Sequence, residues 1–557
     1  MYTITFKVQG ALDQKVTASQ GENLLELAQK RGVIIDAPCS GNGTCGKCKV
    51  RLISGAVNSI PNPHLEQEDY DDGWRLACQS TVIGDAVIWI PAEAGAFQKG
   101  IQTADLSSPE ELERYEASIG KIFAAGLERG CPQKGLGLAV DIGTTTVSAA
   151  LLDLQSGKVM AKASAGNNQI RYGADVINRI IQSAKPGGRE KLQKAIGEET
   201  IHPLIQELCQ SAGVEAGDIR RCVLAGNTTM EHLFAGADAE TIRLEPYVPA
   251  FLELRGKVAR DFGLPIDPDA PVILAPNVGS YVGGDITAGV LDTLMWERPE
   301  MGLFVDLGTN GELVLGNQDF MLCCACSAGP AFEGGDISCG MRATGGAIES
   351  CTIDAETMEP SYVVVGKPGT KPIGLCGSGL IDVISELFRC GIIDARGKFV
   401  KDGKRIRRDE YGASYILAFA AESGHGRDVE INETDLDNFI RAKGAIFSAI
   451  VSMLNSLDMS VEDIEKIQIA GGIGSGINIE KAISIGMLPK IPLEKYSYIG
   501  NSSLTGACAM LLSDQAEEKV FAIGRNMTYL ELSTYPGYME EFVAACFLPH
   551  TNAALFD

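Results

Sequence analysis

The sequence predicts a multidomain chain, α+β at its N-terminus and α/β from residue 136 onward, and three features carry that prediction. Four cysteines, Cys39, Cys45, Cys48 and Cys78, gather in the first eighty residues around a glycine-rich loop. An Asp-Gly-Thr turn between two apolar, strand-like runs occurs twice, in LAVDIGTTTVSAALLD at Leu138–Asp153 and in LFVDLGTNGELVL at Leu303–Leu315. A third apolar run, IQIAGGIGSGIN at Ile467–Asn478, ends in Gly471, Gly472, Gly474 and Gly476.

The 557 residues suffice for several domains, and a hydrophobic content of 45% supplies their cores. A net charge of -24 argues against sequence-independent nucleic-acid binding, which needs clustered Lys and Arg. Proteins and small molecules are the expected partners. The N-terminus, MYTITFKV, alternates like a strand and has neither the basic region nor the apolar core of a signal peptide. No apolar run approaches the ~20 residues needed to cross a bilayer, so the expected location is cytoplasmic, with no membrane partner. In that compartment the 16 cysteines are not expected to form disulfides, and the question is which of them have ligand spacing.

Residues 1–93 read as a separate module: a strand at Tyr2–Val8, a helix between Gly21 and Gly32, then the loop APCSGNGTCGKCKV and, later, WRLACQS. The spacing C-x5-C-x2-C followed by a distant fourth thiol suits an iron–sulfur cluster, and Gly41, Gly43 and Gly46 let the loop wrap closely around sulfide. The alternative, a tetrahedral zinc site, more often uses two C-x2-C pairs. Residues 94–135 form a linker with one helix, for which Ser107 and Ser108 are candidate caps, Pro109 suits the first turn and Glu110 and Glu111 follow. It either tethers the module loosely or docks firmly.

Residues 136–557 hold the two Asp-Gly-Thr hairpins. In the first, Asp141 ends a buried strand, Gly143 turns the backbone, and Thr144, Thr145 and Thr146 add hydroxyls. In the second, Asp306, Gly308, Thr309 and Asn310 repeat the arrangement. One such hairpin can be an ordinary tight turn, whereas two copies suggest a pair of facing phosphate loops. Asp175 and Arg179 in YGADVINRIIQS, and the strand and helix of CVLAGNTTMEHLFAG, capped near Asn227-Thr228, read as scaffolding for that cleft. In APNVGSYVGGDITAGVLD two glycines precede Asp285, which is either a helix N-cap or a residue that orients an attacking water. MLCCACSAGPAFEGGDISCGMRATGGAI, Met321–Ile348, reads as loop-rich, with Cys323, Cys324 and Cys326 as buried small residues rather than ligands. Within it Ser327 offers a weak oxygen donor among Gly329, Gly334 and Gly335; the bland reading is a serine bonded to its own loop. KDGKRIRR at Lys401–Arg408 reads as a solvated patch, IGNSSLTGACAMLL as a helix, and the aromatic stretch Thr528–Thr551 as a segment that packs back or meets a partner.

The two hairpins with the late glycine loop resemble the actin, sugar kinase and Hsp70 superfamily, which implies a two-lobed ATPase over 136–557. There the hairpins grip ATP phosphates, Asp141 and Asp306 hold Mg²⁺, Gly471, Gly472 and Gly474 pack on adenosine, and Asp285 starts the first connecting helix. The cysteine module resembles [2Fe–2S] ferredoxins of the β-grasp fold, with five residues between the first two cysteines as in the adrenodoxin branch. Module, linker and ATPase with SAGPAFEGG and the ending YPGYMEEFVAACFLPHT together resemble the reductive activators of corrinoid-dependent methyltransferases. That resemblance implies that an external low-potential donor protein reduces the cluster. The cluster then passes one electron to Co(II) in a corrinoid protein, regenerating Co(I), with ATP required; under that resemblance Ser327 is expected to replace a stronger axial ligand of the cobalt, and Gly329, Gly334 and Gly335 to leave room for the macrocycle. The interval from Glu93 to Leu138 leaves no room for the middle domain that larger members carry. Two other classes fit in part: an activator of radical dehydratases, whose members share one cluster between two subunits, and a nucleotide-gated electron carrier that binds ATP without turning it over.

Overall fold

The computed structural model describes residues 1–556 except 9–11, 34, 36, 38–40, 42, 44–45, 63, 66, 92–104, 174, 410–411 and 473–475. Cys39, Cys45 and Gly474 therefore lie outside the described residues.

Alternation in Tyr2–Val8 places Ile4 and Phe6 on one face, and that face is buried. The strand pairs with Gln14–Ala18 on one side and in parallel with Ser80–Ile90 on the other, within a five-stranded sheet completed by Lys49–Ser59 and Trp74–Leu76. The helix Leu24–Lys30 packs Leu24 and Leu27 onto it. Its cap, Asn23, accepts from Leu25 and Glu26 and also donates to the Cys78 carbonyl at 2.8 Å, which ties the helix start to the fourth cysteine.

The duplicated hairpin gives a duplicated sheet. Leu136–Ile142 is antiparallel to Thr146–Asp153 and parallel to Ile219–Gly226, inside a seven-stranded sheet. Gly302–Leu307 is antiparallel to Gly311–Gly316 and parallel to Lys466–Ala470, inside a six-stranded sheet. Between the two lobes cross the helices Gly284–Thr293 and Ser502–Leu512. Their approach requires glycine, since a Cβ at Gly506 would stand 2.0 Å from the Ala288 carbonyl oxygen.

The linker docks. Its helix, Pro109–Ala124, opens with a complete capping box between Ser108 and Glu111, and Ile119 and Ile122 are fully buried in the cluster that holds Leu291 and Leu504. Asp105–Leu106 adds an edge strand against Val159–Gly166.

Three expectations need correction. The segment from Met321 is not loop throughout: Met321–Cys326 is a strand paired in register with Gly311–Gly316, because both its faces find a core, Leu322, Cys324 and Cys326 on one side and Met321 and Cys323 on the other. Cys323, Cys324 and Cys326 are buried there, and burial pushes their thiols far up. The basic patch is not merely solvated, since Arg405 is buried, pairs with Glu359 at 2.5 Å and donates to the carbonyls of Ile416 and Leu417. Arg407 pairs with Asp428 and Glu430. Gly334 leaves no room for a ligand: with φ at +77°, a Cβ there would meet the Met341 nitrogen at 2.4 Å, so it serves a close crossing of the loop over itself.

Candidate functional site

The turn of the first hairpin is held from behind. Asn167 donates its side-chain amide to the Gly143 carbonyl at 3.0 Å and its backbone N–H to the Thr145 carbonyl at 2.9 Å. Arg179, fully buried, donates to the Thr144 carbonyl at 2.6 Å and also holds Gly173 and Gln169. Asn227 donates to Thr144 Oγ1 at 2.9 Å. Gly143 is required by the turn, because a Cβ would lie 2.3 Å from the Thr146 carbonyl oxygen. In the second hairpin Gly308 donates to the Asn310 carbonyl at 3.1 Å. The turns meet tip to tip, Thr145 Oγ1 lying 2.9 Å from Thr309 Oγ1. Gly471, with φ at +98°, brings the third glycine run against this pair, and a Cβ there would stand 2.2 Å from the Leu307 carbonyl and 2.9 Å from Asp306 Oδ1. Gly472 follows it at the exposed surface.

Asp141, Asp306 and Asp285 gather at the floor of the cleft, half-buried, with Glu312 buried beside them. Desolvation raises all four carboxyls. Mutual repulsion adds to it for Asp285 and Glu312, and Asp141 adds to it for Asp306, which is pushed up to about 7. Such uncompensated acid density suits a divalent cation. Asp141 is partly relieved by Asn501 Nδ2 at 2.8 Å and Ser503 Oγ at 2.9 Å, both at the start of the second connecting helix. Asp285 is not the helix cap. Gly283 occupies that position, and the carboxylate accepts from the adjacent Ile286 N–H at 2.9 Å.

Sequence reasoning missed Glu312, Asn501 and Ser503. Glu312 had a findable signal, since it stands directly opposite Asp306 in the hairpin register. Asn501 was legible only as a cap for Leu504 N–H.

In the N-terminal module the sulfurs of Cys48 and Cys78 are 3.3 Å apart in the core. That is too long for a disulfide and puts both sulfurs within reach of one metal ion. Gly41, Gly43 and Gly46 all have positive φ, and a Cβ on Gly43 or Gly46 would strike Gln79 or His64 at 2.7 Å. The described part of the loop therefore fits a cluster cradle. Lys47, beside Cys48, donates to the carbonyls of Ile337 at 2.9 Å and Ser338 at 3.1 Å. Those carbonyls belong to the segment that begins at exposed Ser327 and returns through Arg342, which donates to Thr146 Oγ1 at 2.9 Å.

Comparison with known proteins agrees with this arrangement. A model described as a 2Fe–2S iron–sulfur cluster binding domain matches residues 6–82, one described as the middle region of RACo matches 136–298, and one described as the C-terminal domain of RACo, the ASKHA domain, matches 300–557. The corrinoid activation enzyme RamQ of Eubacterium limosum is 36% identical over 96% of this chain and 97% of its own. The chain belongs to the family of reductive activators of corrinoid proteins. A solved structure titled reductive activator for corrinoid, iron–sulfur protein is 40% identical with a TM-score of 0.71, each chain being covered in full. The [Co(II) methylated amine-specific corrinoid protein] reductase of Methanosarcina barkeri is 24% identical over 70% of this chain and 73% of its own. The middle-region match at 136–298 covers the stretch that folds into the lobe of the first hairpin. No helix among the described residues is long and apolar enough to cross a membrane.

Proposed function

We propose that this chain activates a corrinoid protein by ATP-dependent reduction. A [2Fe–2S] cluster held by Cys39, Cys45, Cys48 and Cys78, once reduced by an external low-potential donor protein, supplies the single electron that takes Co(II) to Co(I). Gly143 to Thr145 and Gly308 to Asn310 donate to ATP phosphates, Gly471, Gly472 and Gly474 pack on adenosine, and Asp141 and Asp306 hold Mg²⁺ through water. Asp285 orients the attacking water from the first turn of the connecting helix. The nucleotide-binding domain is the whole of 136–557, since each lobe contributes one hairpin, and the reaction takes place in the cytoplasm.

The observation that carries this reading is the path of one segment. Between Ser327 and Arg342 it leaves the sheet of the second hairpin, meets the cysteine module through Lys47 and ends on the first hairpin at Thr146. Nucleotide state and redox module thus bear on the same backbone. Coupling is needed, because plant-type clusters lie near about -400 mV, the Co(II)/Co(I) step lies lower, and each tenfold bias costs about 59 mV. Binding the corrinoid partner better in one nucleotide state supplies that bias.

Phosphate release measured with and without a Co(II) corrinoid protein tests the coupling. Stimulated release supports it, and binding of ATP with no turnover in either case leaves the gated carrier. Ser327, exposed at the start of the shared segment, is placed to meet a partner's corrinoid as a weak axial ligand, which would favour reduction by displacing a stronger one. An axial-ligand change in the electronic spectrum of the Co(II) protein is expected with the native chain and lost with Ser327→Ala; an equal change with both excludes Ser327.

A further inference from the structure

A cavity of about 530 Å³ opens at the hinge, beneath the linker helix. Five basic side chains line it: Arg114 and Lys121 from that helix, Lys162 from the strand Val159–Gly166, Arg298 beyond the first connecting helix, and Lys466 at the start of Lys466–Ala470. This is an unusual gathering in a chain of net charge -24. Elsewhere the arginines are mostly matched with carboxylates, as Arg221 is with Asp514 and Glu517. Among the described residues none of these five forms an ion pair. The cavity's own carboxylates offset them only in part, Lys121 acting on Asp292 from beyond ion-pair distance. Glu111 accepts from the Ser108 N–H in the capping box, and Asp292 keeps Oδ2, buried, without a partner. Burial first, then Arg298 and Lys121, lower the Lys466 ammonium, which is the signature of crowded positive charge. Ser497 also lines the cavity and holds a buried hydroxyl without a hydrogen-bond partner.

The cavity is not the phosphate cleft. Asp285 and Asp292 lie at opposite ends of one helix, seven residues and about 10 Å apart. Lys466 starts the strand whose last residue, Ala470, pairs with Asp306, about 13 Å further on. The two sites adjoin at Asn501, which lines the cavity and donates to Asp141, and at Gly500 and Tyr498, which line it and bond the Gly471 backbone.

We infer that this cavity binds a small polyphosphate, and that its occupant fastens the linker helix across the hinge. The volume lies within the range of small-molecule sites, and five cations from four separate elements exceed what a single carboxylate or sulfate would balance. Phosphoanhydride chemistry could come from free pyrophosphate or from a nucleotide. An occupant would bridge both lobes and the helix that leads to the cysteine module, so it would bear on the cleft through Asn501.

Calorimetric titration of the full-length, cluster-loaded protein with inorganic pyrophosphate tests this, first alone and then with a non-hydrolysable ATP analogue in excess. The first titration counts the cavity and the phosphate loops together, and the variant below reads the cavity whether or not the cleft takes ATP. A saturable site that persists with the analogue is expected, together with slowed hydrogen exchange in Pro109–Ala124. Arg298→Gln with Lys466→Gln should weaken that site at least tenfold while leaving thermal melting intact. If the analogue itself fills two sites in the native chain and one in the variant, the occupant is a nucleotide. Pyrophosphate binding that the variant retains unchanged, or that the analogue abolishes while itself filling only one site, would overturn the inference.

Discussion

Asp285 shows how a residue's position separates two readings that its chemistry leaves open. An aspartate after two glycines at a helix start is ordinarily a cap, yet Gly283 takes the cap position and Gly284 packs so closely that a Cβ would lie 2.3 Å from Glu231 Oε1. The carboxylate is thereby set two residues further in, beside Asp306 and Asp141. Asp285→Asn is expected to retain ATP binding and lower the hydrolysis rate by about 10²-fold or more, as loss of a positioned base does; unchanged turnover in a phosphate-release assay would remove it from the chemistry. Asp292, at the far end of the same helix, predicts a pH effect. Burial pushes its carboxyl up to about 7 against the opposing pull of Lys121 and a hydrogen bond from Thr505. The folded chain then holds a proton that the unfolded chain releases near pH 4, so this contribution to stability is complete below about pH 4 and is lost as pH rises through 7. Melting curves of Asp292→Asn against the native chain should therefore diverge in the variant's favour between pH 5 and pH 8.

At the scale of elements, the C-terminal stretch packs back. The helix Tyr538–Ala545 lies against the long helix Glu433–Ser456, and Met527–Tyr529 extends the second sheet beside Met321–Cys326. Lys443, fully buried in the long helix, anchors the chain beyond Ala545 by donating to the carbonyls of Pro549 at 2.6 Å and Phe547, with Gly486 at 3.5 Å. Lys443→Met keeps the volume but leaves those oxygens unpaired. A loss of roughly 3 kcal/mol is expected, seen as a lower melting temperature and as proteolysis that starts within the last thirty residues. The linker helix is an element of the same kind. Its caps were legible as Ser108, Pro109 and Glu111, whereas docking depended on where Ile119 and Ile122 found partners.

For the whole molecule the decisive contact is that of Lys47 with the Ile337 and Ser338 carbonyls, since it sets the cysteine module on the segment that touches both hairpins. A charge-assisted bond of this kind contributes about 1.5–3 kcal/mol. Lys47→Ala should therefore raise the undocked population roughly ten- to a hundredfold, measured as faster hydrogen exchange at 336–341 and a larger radius of gyration. Reduction of the corrinoid partner would respond in either direction, but an unaltered exchange pattern would show that the module docks by other means.

The local patterns of this chain were enough to determine its order of parts. Cysteine spacing, the repeated Asp-Gly-Thr turn and helix-capping residues all act within a few positions of one another, so they survive in the linear sequence: the hairpin strands, the helix at Asp285 and the linker helix stand where those patterns put them. What the tertiary structure alone decided is how distant parts are matched. Asn501 and Ser503 reach Asp141 across 360 and 362 positions, Thr145 meets Thr309, and Arg179 enters the core to hold a turn. None of these pairings has a periodic or local signature, because Asn501, Ser503 and Thr309 meet the first hairpin through the approach of two lobes and Arg179 reaches Thr144 through the packing of the first. Short polar side chains that cap a helix or decorate a turn in isolation acquire their second partner only when that approach excludes water.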